Sequence, residues 1–152
     1  MAYTTAEGRQ EVLDTLAEAT DELGFALAAL GAAYEQLDEA NADRLEDELF
    51  GPVQVAYGRA KRTHAGFASR HGMPSRTFEA ASPGLPSAGP KGFIDNAIDA
   101  IARADGAIAT LQDSMLPVEV GDAELRAGLM EVRELLGDLR QKARELERTL
   151  GR

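Results

Sequence analysis

His64 and His71 stand seven residues apart in the stretch that also holds the main concentration of bases, Arg59, Lys61, Arg62, Arg70, Arg76 and Lys91. Imidazole can ligate a metal or carry a proton near neutral pH, and guanidinium and ammonium groups recognise anions. Two histidines two helical turns apart have their rings starting about 10 Å apart, too far to hold one ion together. A metal would need carboxylates from elsewhere, with Glu7, Glu11 and Asp99 the candidates, and no metal or cofactor is expected. The chemistry open to His64, Arg70, His71, Arg76 and Lys91 is anion binding where the second helix ends and the amides of the next helix begin. The plainer reading is that these cations neutralise an acidic first helix and favour a helix C-terminus. Asp95, in the early turns of the following helix, works against an anion there.

Catalytic patterns are missing. A di-iron bundle needs Glu and Glu-x-x-His on inward positions, and here no Glu precedes a His by three. HExxH and GxSxG are absent. Gly84-x-x-x-x-Gly89-Pro90-Lys91 approaches a phosphate-binding loop, but proline stands where lysine is required and no strand precedes it. There is no cysteine, so thiolate ligands, disulfides and cysteine nucleophiles are excluded. The chain reads as more in keeping with a binding protein than with an enzyme.

What must position these residues is helical. Leu13, Leu16, Thr20, Leu23, Leu27, Leu30, Tyr34 and Leu37 alternate three and four apart, one stripe of a helix spanning about residues 5–41, the alternative being a helix unbroken to Phe50. Thr4 or Thr5 can cap its start. The Asp43-x-x-Glu46 pair predicts a new helix over 43–70, with a kink or break at Gly51-Pro52. Residues 72–91 hold four of the six prolines and read as an irregular connection lying on the protein, with Met73, Phe78 and Leu85 as apolar anchors. A helix over 92–115 carries Ile94, Ala97, Ile101, Ala104, Ile108, Leu111 and Met115, and one over 122–150, capped by Asp122, carries Leu125, Leu129, Val132, Leu136, Leu139, Ala143, Leu146 and Leu150. No strand pattern occurs. The expectation is an all-α fold, a four-helix bundle with a long proline-rich connection between helices 2 and 3, as one domain over 1–152.

Charge and the first helix carry the functional reading. Net charge is −10, with thirteen acids and two bases in residues 1–50 against three acids and six bases in 51–100. That sign disfavours nucleic acid and anionic membranes as partners. The start, MAYTTAEGRQ, lacks the basic and apolar regions of a signal peptide, and no uncharged run nears the roughly 20 residues that span a bilayer. A soluble, cytoplasmic protein is expected. On the first helix, Leu23 to Tyr34 contains no charge, and Phe25, Ala28, Ala29 and Ala32 fall at outward positions between flanking acids. A contiguous apolar patch of that kind usually marks a contact. The function expected is non-enzymatic, through protein–protein contacts. A homodimer on this face is the simplest form, the other cover for it being the chain's own proline-rich connection with Phe78 or Leu85 against Phe25. An unidentified protein partner is a further form, and a small-anion binder is the alternative.

Overall fold

Thr4 opens the first helix as its type and place suggest. It is extended (φ −66°, ψ 160°), and its hydroxyl accepts from the Glu7 amide, one of the N–H groups that a helix start leaves without a partner. In the computed structural model, which describes residues 4–79, 81–85 and 88–150, the regular elements are all helical. They are α1 (Thr5–Glu35), α2 (Glu39–Leu45), a π-helical turn (Glu46–Phe50), α3 (Gly51–Arg70), α4 (Gly89–Asp113), α5 (Leu116–Glu119), α6 (Ala123–Leu136) and α7 (Leu139–Leu150). Among the described residues no helix is long and apolar enough to cross a membrane.

Several boundaries differ from those read in the sequence. The first helix ends at Glu35, not near residue 41, because Asp38 turns extended (φ −65°, ψ 163°) as the N-cap of α2 and accepts a 2.7 Å hydrogen bond from Asn41 Nδ2. Leu37, in the turn between them, packs against the core. The second helix therefore resumes at Glu39, without using Asp43 as its cap. The disturbance expected at Gly51-Pro52 takes the form of the π-helical turn just before it, where the Gly51 amide donates to the Glu46 carbonyl five residues back. A proline has no amide to donate and its ring crowds the carbonyl four residues earlier, so a widened turn ahead of Pro52 relieves both defects. The helix expected over 92–115 runs from Gly89 to Asp113, and Met115 in the left-handed region (φ 69°) turns the chain into α5. The helix expected over 122–150 is divided at Gly137 and Asp138. Glycine is the poorest helix former after proline, and the Gly137 amide reaches the Glu134 carbonyl in a tightened turn.

Packing follows from two stripes on α1. The leucine stripe is buried at Leu13, Leu16, Leu23 and Leu30, and beside it Gly8, Val12, Ala19, Ala26 and Ala33 are buried as well. Small residues at heptad spacing allow a neighbouring helix close, and α1 packs most extensively on α4, whose Ala97, Ala100 and Ala104 are also buried. α3 packs on α1 and on α6, and α7 on α4 and the π-helical turn. Thr20, the one polar member of the buried leucine stripe, returns its hydroxyl to the Leu16 carbonyl at 2.7 Å.

Long-range contacts fix the helix directions. Arg44 reaches Thr149, Arg59 reaches Glu131 and Arg70 reaches Asp122, so α2 and α3 run opposite to α6 and α7. Asp95 lies by Glu147 and Asp105 pairs with Arg133, so α4 runs opposite to α6 and α7 too. Hence α3 and α4 are parallel. The connection from His71 to Ala88 must travel the length of a helix of 25 residues, roughly 37 Å, which an extended chain of that size covers easily.

Close approach is testable at Gly128, where an added Cβ would overlap the Thr63 side chain of α3. Gly128→Ala should cost about 1–3 kcal/mol in urea unfolding despite its better helix propensity. Leu30→Ala and Leu136→Ala, both nearly inaccessible, should cost about 2–5 kcal/mol each. A gain in stability at Gly128→Ala would show that α3 and α6 are further apart than described.

Candidate functional site

The outer face of α1 is smaller than the sequence suggests. Ala29 is 0% exposed and belongs to the core, a correction to its outward assignment. Its burial follows from the two-sided packing of α1, which covers an arc wider than the leucine stripe alone. Gly24 is likewise buried, beside the Tyr57 ring of α3. Phe25, Ala28 and Ala32 remain half-buried, with Phe25 and Ala32 resting partly on the core. Below them Asp21 is paired with Arg76 at 2.9 Å and Glu22 with Arg103 of α4. The uncharged stretch is thus explained for its inner half by α4 and α3, while its outer half stays accessible.

The five residues read as an anion cradle fall into three places. Arg70 grips Asp122 with two hydrogen bonds of 2.8 and 2.9 Å, and His71 Nε2 is 2.9 Å from the same carboxylate. Asp122 also caps α6 by accepting from the Leu125 amide at 2.8 Å. Burial alone would raise this carboxyl, but the Arg70, Leu125 and His71 hydrogen bonds together hold it well below the usual carboxylate range. His64 lies earlier in α3, 3% exposed, its ring edge-on to Phe78 of the connection at 5.2 Å. The Arg76 guanidinium covers the other partner of that pair, 4.6 Å from the Phe78 ring centre, while holding Asp21. Burial first, and then the Arg76 charge, lower the His64 pKa, against the opposing pull of Asp14. Its Nδ1 is buried with no hydrogen-bond partner among the described residues. Lys91 lies at the far end of the helices, where it acts on Glu147. The sequence places these groups near one another along the chain; the parallel course of α3 and α4 separates Lys91 from the rest.

The bases of α3 do not meet the acids of α1 either. Arg59 and Arg70 turn to Glu131 and Asp122, because α3 lies between α1 and α6. Glu147, 9% exposed on α7, is a feature that sequence patterning misses. Burial, and after it the hydrogen bond and charge of Asp95, push its carboxyl up to about 7, opposed by Arg144 and Lys91. The signal was Leu146-Glu147 at the inner edge of the heptad stripe. Among the described residues no three His, Asp or Glu side chains gather as a metal site.

Two pH responses follow from these groups. Asp122 binds its proton less tightly in the folded chain than in the unfolded one, so its contribution is complete above its ordinary value of 3.8 and is lost as pH falls further. Asp122→Ala should cost about 1–2 kcal/mol at neutral pH through the lost cap, with the deficit shrinking in acid. Glu147 binds its proton more tightly when folded, so it favours the fold below 4.5 and this is lost as pH rises to about 7. Glu147→Gln should therefore match the parent below 4.5 and exceed it above about 7 in urea midpoint. A difference independent of pH would show that Glu147 ionises freely.

Comparison of the chain with protein-family models, curated proteins and solved structures finds no match to any of them.

Proposed function

We propose that this chain is a four-helix bundle, its arms being α1, α2 with α3, α4, and α6 with α7, that works without catalysis through protein–protein contacts. Its simplest partner is a second copy docked on the outer face of α1, in the cytoplasm. The observation that supports this reading is the accessible, charge-free face of Phe25, Ala28 and Ala32, whose neighbouring acids Asp21 and Glu22 are already matched by Arg76 and Arg103. Two such faces can approach closely because their centre is alanine, and the matched acids remove part of the like-charge repulsion that a chain of net charge −10 would otherwise meet. Two-fold pairing of one face with itself is the commonest closed assembly.

Sedimentation equilibrium should return twice the chain mass of 16.2 kDa. Phe25→Glu should return the chain mass with its helical circular dichroism kept. A parent that sediments at 16.2 kDa, or a Phe25→Glu variant that stays at twice that mass, removes the self-association reading.

A further inference from the structure

Where α1 passes the π-helical turn, the surface holds a recess of about 320 Å³ lined by Gly31, Tyr34, Glu35, Glu46 and Phe50. Its volume is at the lower end of small-ligand sites, which begin at roughly 300 Å³. Tyr34 is 37% exposed, and Phe50 is half-buried with part of its ring against the core. Gly31 opens the recess on the α1 side. A Cβ added there would meet nothing within 4 Å, so no close packing demands glycine at this point. A glycine inside a helix costs about 1 kcal/mol relative to alanine, which makes the open space the physical consequence of its presence. On the opposite wall the widened turn at Glu46–Phe50 sets both side chains in a geometry that a regular helix would not give, and such turns recur at binding sites.

The recess carries a carboxylate on each wall, Glu35 on the α1 side and Glu46 on the other. Asp21, Glu22, Glu48, Asp105, Asp122 and Glu131 are each paired with an arginine. Among the described residues the Glu35 and Glu46 carboxylates have neither an ion pair nor a hydrogen bond, like other exposed acids such as Glu39, Asp43 and Asp47, and the one base on α2, Arg44, is taken by Glu48 and Thr149. Two aromatic rings beside two unmatched carboxylates suit a cation with an apolar body. The rings attract positive charge through their faces, and the carboxylates supply the counter-charge. An anion would meet like charge at both walls. We infer that the recess between α1 and the π-helical turn binds a small alkylammonium ion.

The test is a titration of the full ¹⁵N-labelled chain with n-butylammonium chloride, with n-butanol as the neutral probe, at constant ionic strength. Butylammonium should produce saturable amide shifts confined to residues 31–35 and 46–50, and butanol should not. Gly31→Met, whose Cβ would meet nothing within 4 Å and whose flexible chain can occupy the recess, should remove saturation while circular dichroism confirms the fold. Glu35→Gln with Glu46→Gln should weaken binding about tenfold. Shifts that fail to saturate, that butanol reproduces, or that persist in both variants would overturn the site.

Discussion

Burial of α1 from two sides is the constraint on which the remainder of the fold depends. A helix that presented only its leucine stripe could sit on one groove and leave its flanks in water. Here Val12, Ala19, Ala26 and Ala33 extend the buried arc beside that stripe, and the small side chains let α4 come close. With α4 on one side and α3 on the other, α6 and α7 can only close the remaining gap between those two. The close fit of Gly128 against Thr63 is the corresponding approach across the far side of the molecule.

The arginines follow the same geometry. Ion pairs between helices sit at the rims of their interfaces, where one partner keeps contact with solvent: Arg103 with Glu22, Arg59 with Glu131, Arg133 with Asp105. Exposed pairs of this kind contribute little to stability individually, about 0–1 kcal/mol. Their effect is on register and direction, since each joins positions that coincide only when the helices run as they do. Arg70 and Asp122 differ, because the carboxylate also caps α6 and faces His71, so that one acid organises the end of α3 and the start of α6 together.

How much of this was legible depended on how local the cause is. Thr4 and Asp122 cap helices through their own side chains, and both are readable from residue type and position. The heptad leucines are readable for the same reason, since their spacing alone sets a face. The end of α1 at Glu35 is not, because Asp38 competes with the equally plausible cap at Asp43, and the burial of Leu37 decides between them. Ala29 was misread because an alanine is compatible with either face and only its neighbours assign it. Lys91 is separated from the rest of the anion set for a topological reason. Proximity along the sequence implies proximity in space when helices 2 and 3 meet at one end, and here their parallel course puts Lys91 at the other. The recess at Gly31 and Phe50 needs two segments brought together; Gly51-Pro52 signals a disturbed turn, but residue spacing does not say what that turn faces.

The parallel course of α3 and α4 also bears on how the chain acquires its structure. Helices joined by short turns can pair with their sequence neighbours as they form, and most of the core then grows from nearby segments. In this chain the dominant partnerships, α1 with α4 and α3 with α6, join residues from opposite sides of the 71–88 connection. α3 covers only one side of α1, so the other side of its buried arc stays open until α4 arrives from far along the chain. The entropic cost of closing that long loop rises only slowly with its length, yet it must be met before the main interface offers any return. Completion of this helical core therefore depends on a nonlocal contact, not only on the pairing of sequence neighbours.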